Sequence, residues 1–310
     1  MIVKVENLIK RYKDFLAVDH LNLSITEGEI FGFLGPNGAG KTTTISTLSG
    51  LTKLDGGDIE IFGKSIRTHE LAIKREIGVV PQEIAVFEDL SAYENLHYFG
   101  RLYGLRGPLL KERIEEALTF TGLLERSKES PKKFSGGMKR RLNIACAILH
   151  HPKLIIMDEP TVGIDPQSRN HILQSIKELN RMGSTIIYTS HYMEEVEEIC
   201  TNIAIMDHGR IIAAGTKDEL KALAATEEKA SIELSAVNYT IVDEIKQIAG
   251  VKECLLQGKQ LQVISNKNSK NLSKIIECVF ANDSEIISLN MEKPTLEGVF
   301  LTLTGRSLRD

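Results

Sequence analysis

A lysine and two threonines behind a glycine-rich turn are the residues of this chain best suited to chemistry on a phosphate. They close the stretch Gly35-Pro36-Asn37-Gly38-Ala39-Gly40-Lys41-Thr42-Thr43, which meets G-x-x-x-x-G-K-[ST] at every fixed position. Glycines let such a backbone curl until its N–H groups converge on phosphate oxygens. A helix starting there adds partial positive charge at the same point. Lys41 is expected to reach the β- and γ-phosphates, and the Thr42 hydroxyl to hold Mg²⁺. Each charge-assisted contact contributes about 1.5–3 kcal/mol, enough in sum for micromolar nucleotide binding after ordering costs.

A second group suits hydrolysis. Leu154-Ile155-Ile156-Met157 is a buried-strand pattern that runs into Asp158-Glu159. An apolar run ending in acid is the Walker B arrangement, with Asp158 holding Mg²⁺ through water and Glu159 polarising the attacking water. His191 ends another strand of the same sheet, where a γ-phosphate would lie outside the carboxyl ends; it is either structural or part of the site. Gln82 closes a strand and could contact a metal or the attacking water, or be solvated. Ser135 precedes Gly136 and Gly137 as a good N-cap, leaving a helix start open to an anion. Tyr12 could stack on an adenine ring or be an ordinary turn aromatic.

Those residues need a frame. Ile30 to Leu34 reads as the strand before the loop, and Thr43 to Leu51 as the helix after it. Residues 2–26 alternate as antiparallel strands. Short strands are expected at 59–63, 77–82, 184–189, 203–206 and 210–213, with helices at 167–182 and 193–199. The stretch 91–126 is helical in pattern and interrupts the βα alternation, so a helical subdomain is expected over about 84–136. A charged helix over 217–229 links to a second pattern, with 221–229 as the linker proper. Residues 231–290 follow the order β-α-β-β-α-β, a ferredoxin-like split, closed by a helix at 295–304. This second domain, 230–310, carries no nucleotide or metal motif; interaction or dimerisation is its expected role.

Composition narrows the class. A net charge of −4 over 310 residues, with lysine and arginine scattered, argues against a dedicated nucleic-acid partner. Cys146, Cys200, Cys254 and Cys278 form no C-x-x-C pair, so a zinc site or disulfide framework is not expected and a reducing cytosol fits. Charges at Lys4, Glu6, Lys10 and Arg11 leave no signal-peptide pattern. No apolar run approaches the roughly 20 residues that cross a bilayer. The chain is expected to be soluble, reaching a membrane only through a partner.

Taken in order, the P-loop, Gln82, Ser135-Gly136-Gly137, Asp158-Glu159 and His191 make residues 1–220 resemble the ATP-binding cassette (ABC) family. The resemblance implies a P-loop NTPase fold with a RecA-like core, an antiparallel β subdomain and a helical subdomain. It implies that Tyr12 stacks on adenine, that Gln82 senses Mg²⁺ and a membrane partner, and that Ser135, Gly136 and Gly137 meet the γ-phosphate from the opposite subunit. Glu159 becomes the catalytic base, Asp165 the link between two sites and His191 the switch. Phe134 stands where the family has leucine and Met138 where it has glutamine; neither change removes the serine hydroxyl or glycine amides. The stretch 295–306 resembles the tail of bacterial drug, antibiotic and lipid exporter ATPases.

The resulting expectation is an ATPase subunit that dimerises head to tail around two ATP molecules and drives a separate membrane permease. Homodimer and paralogous heterodimer both remain open. Its place would be the cytoplasmic face of the membrane. Soluble cassettes of translation usually carry two cassettes and a basic linker, and those of DNA repair carry coiled coils or zinc hooks; none of these is present. A scaffold without hydrolysis is opposed by Glu159 and His191.

Overall fold

The computed structural model describes residues 1–224, 227–236, 238–267, 269–292 and 295–304. The chain divides into two compact units after Lys217.

The first unit opens on β1 (Val3–Tyr12) and β2 (Phe15–Ile25), paired antiparallel. Val3 and Val5 are buried while Lys4 and Glu6 are exposed, the period-2 alternation of a sheet with one wet face; an irregularity at Asn7 then shifts the phase, and Leu8 turns inward. β3 (Ile30–Leu34) is buried at all five positions. A run apolar on both faces belongs at the centre of a parallel sheet, and that is where it lies. α1 (Lys41–Leu48), β4 (Gly56–Ile61), β5 (Lys64–Ser65), α2 (Ile66–Lys74) and β6 (Ile77–Val80) follow. Then come α3 (Ala92–Leu102) and α4 (Gly107–Phe120), both within the helical stretch expected over about 84–136, and α5 (Gly136–Ile148), which starts only at its end. β7 (Leu154–Asp158), α6 (Pro166–Arg181), β8 (Thr185–Ser190), α7 (Met193–Ile199), β9 (Asn202–Asp207) and β10 (Arg210–Thr216) complete the unit.

Two sheets result. One is antiparallel, in the order β2-β1-β4-β5; the other has six strands, β10-β9-β3-β8-β7-β6. Pairings β3–β8, β3–β9, β7–β8 and β6–β7 are parallel, so β3, β7 and β8 end at one edge. The segments leaving that edge after β3, β6, β7 and β8 carry the 35–43 stretch, Gln82, Glu159 and His191, as open α/β sheets do at the carboxyl ends of their strands; Tyr12 ends β1 of the other sheet and Ser135 caps α5. One apolar cluster joins the sheets, from Val5 and Leu21 through Phe33 and Leu48 to Ile156 and Ile187.

The helical insertion meets the core at His150. Its ring stacks on Tyr103 with centroids 3.6 Å apart, and Nε2 lies 3.1 Å from the Ile77 carbonyl oxygen. Burial pushes its pKa down to about 4 from 6.5. The folded chain therefore holds this ring neutral where the unfolded chain binds a proton. Stability from this group is complete above pH 6.5 and is lost as pH falls towards 4, by up to about 2 kcal/mol at pH 5. His150→Gln should accordingly lose less stability than the parent between pH 7 and pH 5 in denaturant melts. Equal losses would contradict this account.

The second unit starts within α8 (Lys217–Ala224). β11 (Glu227–Leu234), α9 (Thr240–Lys246), β12 (Val251–Gln257), β13 (Gln260–Asn266), α10 (Leu272–Ala281) and β14 (Ile286–Glu292) follow, then α11 (Leu296–Thr304). Sheet order β12-β13-β11-β14 is that of a ferredoxin-like α+β fold, all pairs antiparallel. Its core gathers Ile232, Leu234, Ile241, Ile245, Leu261, Val263 and Val279. The linking helix expected to residue 229 ends at Ala224; residues 225 and 226 lie outside the described set, and 227–229 already belong to β11. Backbone pairing on both sides, Lys229 with Ile264 and with Glu292, outweighs the helix preference of Glu-Glu-Lys-Ala. Gly305 and Arg306 of the exporter-like tail also lie outside the described residues. No helix among the described residues is long and apolar enough to cross a membrane.

Candidate nucleotide site

The loop between β3 and α1 is pressed against neighbouring backbone. A Cβ on Gly35 would fall 2.3 Å from the Met206 carbonyl oxygen, and one on Gly40 would fall 2.6 Å from that of Ala17. Gly40 also has φ 104°, a left-handed conformation that favours glycine. It caps α1, so the helix starts at Lys41 rather than Thr43. Lys41 is buried. Its Nζ donates to the Gly35 and Pro36 carbonyls at 2.7 and 3.2 Å and lies 3.6 Å from Glu159 Oε1. Burial lowers the pKa of this ammonium, and Glu159 partly restores it. The lysine is thus folded over its own loop with incomplete charge compensation.

A pocket of about 220 Å³ opens above the loop. Residues 36–43 line it, Ala39 excepted, facing Tyr12 and Phe15 on one side and Gln82 and Glu159 on the other. Ala39 is buried behind it. The Thr42 side chain is exposed on the pocket wall and bonds to no described residue.

The carboxylates come from the adjacent strand ends. Asp158 of β7 lies in register with Thr189 of β8. The Thr189 hydroxyl donates to Asp158 Oδ1 at 2.6 Å and accepts from the Glu159 N–H at 2.9 Å. Glu159 has φ 44°, a conformation that costs a non-glycine residue on the order of 1 kcal/mol or more. In that conformation the buried side chain reaches Lys41 through Oε1 and His191 Nδ1 through Oε2, the latter at 3.2 Å. Lysine, glutamate and histidine, separated by 118 and 32 positions in the sequence, are joined in one chain of contacts.

Ser135, Gly136, Gly137 and Asp165 are not part of that pocket. The Ser135 hydroxyl caps α5 by accepting the Met138 N–H, as expected of this residue before two glycines. Ser135 and Gly136 are exposed, whereas Gly137 is buried. A Cβ on Gly137 would fall 2.3 Å from Ser168 Oγ. Asp165 caps α6, its Oδ1 accepting the Ser168 N–H at 2.9 Å, and that backbone bond leads the lowering of its pKa. Ser135-Gly136-Gly137, hereafter the signature, and Asp165 therefore form a second, outward-facing cluster where α5 meets α6.

Residues 18–162 match the family described as ABC transporter. Across 311 residues the chain is 44% identical to the linearmycin resistance ATP-binding protein LnrL of Bacillus subtilis (strain 168), covering 100% of both chains. This chain belongs to the ABC transporter family. It is an ATP-binding protein and an ATPase of that family. Its likeness to LnrL runs through the second unit as well. Among solved structures, cbiO1 from Clostridium perfringens, part of the ABC transporter complex cbiONQ, is 32% identical with a TM-score of 0.66, over 71% of this chain and 90% of that one. A dimeric ATP-binding cassette in a post-hydrolysis state with ADP and Pi is 28% identical with a TM-score of 0.64, over 69% and 98%.

Two residues of this ABC ATPase escaped the sequence reading. Phe15 pairs across the β1–β2 turn with Tyr12 and shares its pocket wall, so two aromatics flank the pocket. Its signal was an exposed aromatic three positions after another. Arg140, on the helix that Ser135 caps, donates from Nη1 to the Pro81 carbonyl at 2.6 Å and from Nη2 to the Gln82 carbonyl. It ties the signature helix to the loop that presents Gln82. Nothing in the sequence pointed to that contact.

Proposed function

We propose that this ATPase is the motor subunit of an exporter of drug, antibiotic or lipid-like substrates, seated on the cytoplasmic face of a membrane permease. The observation that carries the proposal is the separation of Ser135 and Gly136 from their own P-loop pocket. Exposed amides at a helix start attract anions, and here they face outward. Two copies placed head to tail would bring each signature to the other's γ-phosphate. ATP would then join the subunits, while ADP would leave the gap open. Driving such a pair from 1:99 to 99:1 takes about 5.5 kcal/mol of differential binding, within reach of a few charge-assisted bonds per γ-phosphate.

Within each site, Lys41 is assigned to the β- and γ-phosphates, and Tyr12 with Phe15 to the adenine face. Glu159 is assigned as general base and His191 as the group that holds it in line. Gln82 is the sensor on the loop between core and helical insertion, and Asp165 links the two sites. Mg²⁺ would be held by Thr42, Gln82 and, through water, Asp158. The donor set fits that ion: all are oxygen ligands, Thr42 is unbonded on the pocket wall, and Mg²⁺ keeps waters and substrate phosphates as ligands. Bound there, it would neutralise charge on the β- and γ-oxygens. The second unit is assigned to interaction or dimerisation, and the partner cassette to an identical or paralogous chain.

The exporter reading is supported by the full-length likeness to a resistance protein, and the permease by the likeness to a member of a transporter complex. Expressed in its own host, the tagged chain should be recovered from detergent-solubilised membranes together with a polytopic partner. Recovery free of any membrane protein would contradict the motor reading.

A further inference from the structure

A third carboxylate, outside every motif, joins the two halves of the Glu159–His191 pair. Glu195 lies in the first turn of α7 and is 2% exposed. Its Oε2 accepts three hydroxyl protons, from Tyr188 at 2.7 Å, Thr161 at 2.8 Å and Ser190 at 2.9 Å. Two donors flank the site. Thr161 follows Glu159 by two positions, and Ser190 directly precedes His191. The Ser190 hydroxyl also accepts the Tyr192 N–H at 2.9 Å, so the backbone is pinned on both sides of His191. The Tyr192 ring packs on His191, with centroids 4.1 Å apart, and carries the Arg169 guanidinium 4.9 Å from its own centroid. Arg169 Nε stands 3.4 Å from Glu195 Oε1, and neither atom has a hydrogen-bond partner among the described residues.

A buried carboxylate is tolerated when donors surround it, and hydrogen bonds to an ionised acceptor are about twice as strong as neutral ones. Burial raises the Tyr188 pKa well above its usual value, so the phenol stays a donor. Glutamine cannot replace this group in either orientation. With its oxygen towards the hydroxyls, its amide N–H₂ meets the Arg169 guanidinium; reversed, it offers no acceptor to the three hydroxyls.

We infer that Glu195 is a positioning residue for ATP hydrolysis: through Thr161 and Ser190 it fixes the strand ends that bear Glu159 and His191, and so holds those side chains in line. This rests on the reading of Glu159 as base and His191 as its partner. None of the three Glu195 donors lines the nucleotide pocket, so loss of the carboxylate separates turnover from binding.

In the full chain, Glu195→Gln should lower kcat at least tenfold while ATP affinity stays within twofold of the parent. Ser190→Ala and Thr161→Val should each lower kcat severalfold alone, and neither should lower it further in the Glu195→Gln background. Parental kcat in Glu195→Gln, equal losses of kcat and affinity, or multiplying effects in the double variants would overturn the inference. Should Glu195→Gln fail to fold, Ser190→Ala decides alone: reduced kcat with retained affinity supports the role, and parental kcat refutes it. Glu159→Gln is the control. If that variant keeps its turnover, the reading of the base fails; if it is inactive while Glu195→Gln is not, only this inference fails.

Discussion

Lys41→Ala should lower ATP turnover by at least about a hundredfold, the scale seen when one preorganised donor to a reacting group is removed. ATP affinity should fall as well, by about ten- to a hundredfold, since a charged hydrogen bond contributes roughly 1.5–3 kcal/mol. The geometry gives this lysine little other work. It is buried, hydrogen-bonded among the described residues to the carbonyls of its own loop, and 3.6 Å from Glu159. Its truncation removes the one ammonium on the pocket wall and leaves Glu159 without that counter-charge. Turnover and affinity near the parental values, measured on folded protein, would mean that the loop is not the working site.

Glu159→Gln is expected to be as damaging to hydrolysis and harmless to binding. The amide keeps the volume and one acceptor oxygen but cannot take a proton from water, so ATP should bind and persist. A general base contributes typically 10²–10⁴-fold, and a loss of about that size is expected in kcat. Gel filtration with ATP should then show a stable dimer that ADP does not produce. A monomer under every nucleotide condition would count against the two-chain sandwich.

The parts of the site that could be read from the sequence are those built from contiguous residues. The loop 35–43 lines the pocket as one contiguous stretch, so its spacing alone carries the geometry. Asp158 ends and Glu159 follows β7, whose four apolar residues, Leu154 to Met157, and burial on both faces place its end at the sheet edge. The strand-like and helical stretches over 231–290, each local in the sequence, likewise carried the β-α-β-β-α-β order. What stayed hidden depends on contacts across the fold. Four glutamates occupy α7, and only Glu195 is buried; which one turns inward is set by the phase of the helix against β8. The left-handed φ of Glu159 is imposed by its tertiary setting, where the Thr189 hydroxyl takes its N–H, not by local preference. The stack of His150 on Tyr103 joins an inserted helix to the core, and neither residue announces the other. Arg140 reaches the Gln82 carbonyl across 58 positions, a range at which spacing carries no signal.

A mixed dimer tests most directly whether each site is made of two chains. Lys41→Ala disables a P-loop and leaves that chain's signature intact. Ser135→Arg does the reverse, placing a bulky cation at the exposed cap of α5. Each mutant homodimer has two broken sites and should bind ATP weakly as a dimer. In the mixed dimer both defects share one site, while the other joins a sound P-loop to a sound signature. With Glu159→Gln in both chains, so that ATP is not consumed, mixing should restore ATP-dependent dimers in sedimentation velocity. Ser135→Arg alone dimerising with ATP as well as its parent would contradict the composite site.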